Sequence, residues 1–314
     1  MFSRRLLRIK VLQLFYAFLK SNNNSIAKAE KELFFSISKT YDLLFYLLLF
    51  LIDFISFAEE RIEIAKNKKI PTYEDLNPNT RLIDNKVIKE IISSGSVNKY
   101  INNNKISWSN HPELIKKFYN IFITTDLYNN YINSNDKSFK IDQDFIYNFY
   151  NKAVLQYDDL HSVIEEESIY WNDDIEFIIS IINKSIKYID KKQGYKVMPM
   201  FKNSEDEEFT KNLFRKALVQ YNEHKQLIDK YAKNWDVERI AFMDILIISL
   251  ALTEIREFSS IPVKVSFNEY LEISKTYSTK NSSSFINGIL DKIVKKWKEE
   301  KVFTKMGRGL IGDI

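Results

Sequence analysis

The chain has no cysteine, only three histidines, six glycines and five prolines in 314 residues. Without cysteine there are no disulfides, thiolate metal sites or cysteine nucleophiles. With three histidines (His111, His161 and His224), imidazole-rich metal centres have little to draw on. Sheets joined by tight hairpins consume glycine, so its scarcity favours long helices linked by Asn, Ser and Lys connectors. No glycine-rich phosphate loop and no G-x-S-x-G nucleophile turn occurs. The expectation is a protein that is not an enzyme and holds no cofactor and no metal.

Long apolar runs are also missing. The longest, "LLFYLLLFLI" at residues 43–52, is flanked by Asp42 and Asp53. A spanning helix needs roughly 20 apolar residues, so this segment reads as a core helix and no membrane association is expected. The opening "MFSRRLLRIKVLQLFYAFLKSNNNS" has the outline of a secretory signal. Arg8 and Lys10 interrupt its apolar run, however, and no small-x-small cleavage site follows. A retained first helix and a cytoplasmic protein are expected.

What is present is 45% hydrophobic and 28% charged, with a net charge of +4 that is unevenly placed. Arg4, Arg5, Arg8, Lys10, Lys20 and Lys28 all precede the first acid, Glu30. Leu7, Val11, Leu14, Phe15 and Phe18 form one stripe of a helix, with Arg5, Gln13, Tyr16 and Lys20 opposite. Arginine pairs with phosphate, tyrosine takes a splayed base, and an amide reads a base edge, so this face suits RNA. A solvated basic helix start explains the same residues, and the two readings stay open on chemistry alone.

Helical periodicity continues through the chain. The pattern predicts helices over 26–39 and 41–66, a polar loop carrying Pro71 and Pro78, and an aromatic-rich helical region over 86–190. A loop then leads to helices at 205–233 and 237–255. In "SFNEYLEISKTY", Ser266 and Glu269 read as a capping box opening a helix. A last helix follows in "SSSFINGILDKIVKKWKEE". His224 reads as an exposed helical residue, and Phe267, Leu271 and Val265 as interior. Asp158, His161 and Glu165 share a helix face, which a solvated charged surface explains better than a metal.

Two stretches together resemble the NusB family of transcription antitermination factors. "IPVKVSFNEYLEISKTYSTKNSSSFINGILDKIVKK" is similar to the family's C-terminal signature, and "RRLLRIKVLQLFYA" to its N-terminal "RRxxRxxxxQxLYA". The resemblance implies an all-α fold: a NusB-like helical bundle of two sub-bundles with an inserted helical region. It implies boundaries of 1–66 for the N-terminal helices, 67–204 for the insertion, 205–300 for the C-terminal half and 301–314 for a flexible basic tail. It further implies binding of boxA-type single-stranded RNA together with the ribosomal protein NusE, within the transcription elongation complex.

By position, the implied RNA residues are Arg4, Arg5, Arg8, Lys10, Gln13, Tyr16, Phe285 and Asn287. The implied partner-facing acids are Asp244 and Glu254. Three departures stand out, one of them Lys10, where many members have a neutral residue. Asn281 replaces a common aspartate before the last helix, and Ser249 replaces a common arginine. The aromatics of the insertion (Trp108, Phe118, Phe122, Tyr131 among them) leave packing and partner contact both open. Alternative functions are a helical adaptor without RNA binding, or an accessory domain of an rRNA methyltransferase. The latter lacks its cofactor motif and catalytic cysteine here.

Overall fold

The computed structural model describes residues 1–21, 25–189, 194–232 and 241–310. In chain order these form α1 (Arg4–Lys20), α2 (Ile26–Lys66), α3 (Tyr73–Leu76), α4 (Lys86–Ile92), α5 (Gly95–Asn104), α6 (Pro112–Phe122), α7 (Asp126–Ile132) and α8 (Phe139–Asn148). A π-helical turn (Phe149–Val154) follows. Then come α9 (Asp158–Glu167), α10 (Ile175–Lys187), α11 (Ser204–Tyr231), α12 (Phe242–Glu257), α13 (Val263–Tyr277), α14 (Ser282–Glu299) and a 3-10 turn (Gly307–Leu310). The fold is all-α, 74% helical, with no strands among the described residues. The break expected at 22–24 and the helix start expected at 237–240 lie outside the described residues.

The chain divides into two compact units. One comprises Met1 with Ser38–Met200, the other Phe2–Ile37 with Phe201–Ile314. These limits do not coincide with the expected boundaries at 66 and 204, because α2 contributes residues to both units. It is a single 41-residue helix and not the two that the sequence pattern predicts. No glycine or proline interrupts residues 26–66, and Thr40 is held within the helix, its hydroxyl bonded to Asp174 at 2.7 Å.

The first unit is built around the apolar part of α2. Leu43, Leu47, Leu48, Phe50, Leu51 and Phe54 are completely buried. α2 is long and apolar enough to cross a membrane by length and composition, but its most apolar window is mostly buried within the protein. The insertion aromatics pack here. Trp108 stacks on Tyr46 with centroids 3.9 Å apart and donates its indole N–H to the Tyr46 carbonyl at 2.9 Å. Phe118 and Phe122 each meet both Phe54 and Phe149 edge-to-face. Such pairs add about 0.5–1.5 kcal/mol beyond their area. Tyr131, Arg81 and the backbone of Lys86 all bond the buried Asp142 carboxylate. Of the two readings of the insertion aromatics, these four take the packing one: Trp108, Phe118, Phe122 and Tyr131 are buried.

The second unit centres on α12, which packs against α1, α11, α13 and α14. Leu246, Ile247, Ile248, Leu250, Ala251, Leu252 and Ile255 are all buried. A helix apolar on every side has no choice but to be central. Residues 305–309 of the expected basic tail contact the connector between α12 and α13. Buried Lys305 donates to the Phe258 carbonyl at 3.0 Å, and the Met306 N–H to the Ser259 carbonyl at 3.0 Å. Gly309 sits so close that a Cβ would lie 1.9 Å from the Ser259 oxygen. Only glycine allows that approach. Residues 311–314 lie outside the described residues.

Candidate nucleic-acid interface

α1 begins at Ser3, whose hydroxyl accepts the Leu6 N–H at 3.3 Å and caps the helix. No acid stands in its first turn, so Arg4 and Arg5 oppose the helix dipole. Carboxylates from other helices offset this. Arg4 bonds Asp206 of α11 at 2.8 Å, and Arg5 clamps Glu269 of α13 at 2.8 and 2.9 Å. Arg8 clamps Glu254 of α12 at 2.7 Å through two nitrogens. Arg4 and Arg8 also lie over the Phe209 ring at 5.0 and 5.3 Å. The basic N-terminus thus ties α1 to three helices.

The Arg8–Glu254 pair is deeply buried, with 3% and 0% of the side chains exposed. Glu254 also accepts from the Ser266 hydroxyl at 2.8 Å and the Tyr270 hydroxyl at 3.1 Å. Burial alone would lower the Arg8 pKa, but the Glu254 charge and hydrogen bonds outweigh it and raise it. Burial and the same carboxylate push the Tyr270 pKa well up. Burial pushes the Glu269 pKa up, but Arg5 and Arg8 together bring it below its usual value.

These contacts correct several expectations. Ser266 and Glu269 do not open a helix. α13 starts at Val263, and both residues lie inside it, turned toward Glu254 and Arg5. Arg8 and Glu254, expected on an RNA face and a partner face, face each other in the core. Lys10 is 1% exposed because it follows Leu6 and Leu7 by one turn, on the buried side. Phe285 is buried with Ile286 and Ile289. Asp244 is also buried. It accepts the Ser278 hydroxyl at 2.5 Å and the Ser282 hydroxyl at 2.9 Å, which fixes the connector between α13 and α14.

What α1 leaves to solvent is a strip. Arg5, Tyr16 and Lys20 are exposed, and Arg4 and Gln13 are half-buried. The Tyr16 ring meets Phe242 of α12 edge-on at 5.6 Å, and Lys20 Nζ lies 4.3 Å from the same ring centroid. Sequence reasoning missed Phe242. It stands at the head of a buried apolar helix and carries no local sign of a surface role. Asn287 is exposed and lines a groove between α13 and α14.

Two further positions differ from expectation: Val265, read as interior, is exposed, and His224, read as exposed, lies in the core. His224 is fully buried, and its Nδ1 lies 3.1 Å from the Ser249 hydroxyl. Burial pushes its pKa down to about 4. The unfolded chain therefore takes a proton near pH 6.5 that the folded chain refuses until about pH 4. Stability contributed by neutral His224 is complete above pH 6.5 and lost as pH falls toward 4, a loss of about 3 kcal/mol in total. Asp53, pushed up to about 6 by burial, acts in the opposite direction. Urea unfolding of the parent and of His224→Gln at about pH 7.5 and about pH 5 separates them. The parent is expected to lose about 2 kcal/mol more than the variant. Equal losses would show that His224 is not buried neutral.

The metal reading of α9 finds no support. Among the described residues no group of three His, Asp or Glu side chains is placed to hold a metal. Asp159 of that helix pairs with Lys117, and Glu167 with His111.

The NusB family model matches residues 187–295, which hold α11 to α13 and most of α14. The transcription antitermination protein NusB of Salinibacter ruber is 38% identical over 115 residues, 37% of this chain and 72% of that protein. The chain belongs to the NusB family. Two further proteins of that name match over less of their length. That of Chloroherpeton thalassium is 44% identical over 84 residues, 27% of this chain and 40% of the relative. That of Thermodesulfovibrio yellowstonii is 39% identical over 94 residues, 30% of this chain and 62% of the relative. No solved structure matches. NusB proteins are transcription antitermination factors and not enzymes.

Within a NusB framework the departures take on physical meaning. Ser249 is fully buried where an arginine is common, and it bonds His224 in the core. A guanidinium there would need its own buried carboxylate. Asn281 is exposed at the N-terminal boundary of α14, where it places no negative charge. The α1 segment lies outside the NusB match, yet its three arginines reach carboxylates on α11, α12 and α13, all inside the match.

Proposed function

We propose that this chain binds boxA-type single-stranded RNA of ribosomal transcripts together with the ribosomal protein NusE. The complex joins the elongating RNA polymerase in the cytoplasm and makes it resist termination. Family membership supports the antitermination role. The exposed strip of α1, with Phe242 beside it, supports RNA as ligand and is the observation that carries the reading.

In this reading Tyr16, braced by Phe242, offers a face to a splayed base, worth about 1–3 kcal/mol per stacked base. Lys20 and Arg5 neutralise phosphates, with Arg4 beside them, and Gln13 presents an amide to a base edge. Asn287 is a second exposed amide. Arg5 exchanges Glu269 for phosphate at small cost, because exposed ion pairs contribute only about 0–1 kcal/mol. Arg8, Lys10 and Phe285 are buried and are not part of the exposed strip. Asp244 and Glu254, the acids expected to face NusE, are buried in this chain.

One observation favours the adaptor reading. Arg4, Arg5 and Arg8 are each satisfied by a carboxylate of this same chain. Fluorescence anisotropy with boxA-type RNA, with and without purified NusE, separates the two. The RNA reading expects binding that tightens when NusE is present. Absence of binding in both cases would leave the adaptor.

A further inference from the structure

Phe267 and Leu271 belong to the family-like signature and read as core, yet both are only half-buried. With Val263 and Val294 they form the floor of an open groove of about 470 Å³ between α13 and α14. Val263, Phe267 and Leu271 recur every four residues, so they make one stripe along α13. The rim is basic. Lys264, Lys295 and Lys298 line it against a single carboxylate, Asp291. Lys264 and Lys295 are exposed.

We propose that this groove binds an acidic amphipathic helix of a partner protein. The stripe from Val263 to Leu271 spans about 12 Å at 1.5 Å per residue, the length of roughly two helical turns. A helix presenting apolar residues at i, i+3, i+4 and i+7 would fill the floor. Acids on its flanks would meet the lysines. The floor is aliphatic with one half-buried phenyl ring, and no arginine lines the groove. Single-stranded RNA needs open aromatic faces for its bases, so a peptide fits this chemistry better. The groove shares Asn287 with the proposed RNA residues but none of the α1 strip, and the inference goes beyond the RNA reading.

The test uses the full chain and three fluorescein-labelled probes. One is a 14-residue helix-forming peptide with leucines at i, i+3, i+4 and i+7 and glutamates between. The second has lysines in place of the glutamates, and the third is a single-stranded oligouridine RNA. The acidic peptide is expected to bind at least tenfold more tightly than the basic one. Lys264→Glu/Lys295→Glu should reverse that preference, which a merely unfolded variant could not do. Phe267→Asp should abolish peptide binding, and Tyr16→Ala should leave it unchanged. Equal binding of the two peptides, or no reversal in the double variant, would overturn the proposal. So would oligouridine binding lost to the same extent as peptide binding in the double variant, which would assign the groove to RNA.

Discussion

Glu254→Ala is expected to destabilise the protein by about 3–5 kcal/mol, the usual cost of stranding a buried partner charge. The change removes the only carboxylate within bonding distance of a buried guanidinium among the described residues, apart from Glu269 at 3.7 Å. It also leaves the buried hydroxyls of Ser266 and Tyr270 without their acceptor. Arg8→Met/Glu254→Leu should recover much of the loss, since no uncompensated charge remains and the volumes are similar. Chemical unfolding of the parent, both single variants and the double variant gives the coupling directly. If Glu254 served a partner surface instead, Glu254→Ala would stay within about 0.5 kcal/mol of the parent.

Asp244→Ala should be the next most costly change, at about 2–3 kcal/mol. Hydrogen bonds from hydroxyls to a charged acceptor are worth about 1.5–3 kcal/mol each, with partial recovery as the site relaxes. Asp244 also stands in the first turn of α12, where a negative charge is favourable. The local effect is as informative as the global one. Amide hydrogen exchange at Ser278–Ser282 should accelerate in the variant, because both serine hydroxyls lose their anchor. Asp244→Asn, which keeps an acceptor oxygen, should restore part of the stability. Unchanged exchange in Asp244→Ala would show that the connector is held by other bonds.

Much of this fold is readable from periodicity. α11, α12 and α14 follow from their apolar spacing, and the exposed strip of Arg5, Gln13, Tyr16 and Lys20 from the opposite side of the α1 stripe. The parts that sequence misplaces depend on partners far away in the chain. Arg8 looks like a surface cation until Glu254, 246 residues later, is beside it. Ser266 and Glu269 have the spacing of a helix cap, and only contact with Glu254 and Arg5 shows them inside a helix. Lys305 and Gly309 look like a loose basic tail, because their fit against Phe258 and Ser259 leaves no local pattern. In each case a polar residue is satisfied within the protein, and composition alone cannot distinguish that from satisfaction by water or RNA.

In the proposed function the exposed strip of α1, and not the buried Arg8, meets RNA. Anisotropy titrations of boxA-type RNA against the parent, Tyr16→Ala and Arg5→Ala, across 50–200 mM salt, address it most directly. Tyr16→Ala is expected to weaken binding by roughly fivefold to a hundredfold without changing the salt slope. Arg5→Ala is expected to lower that slope by about one. Parent-like affinity and slope in both variants, with folding unchanged, would contradict this reading.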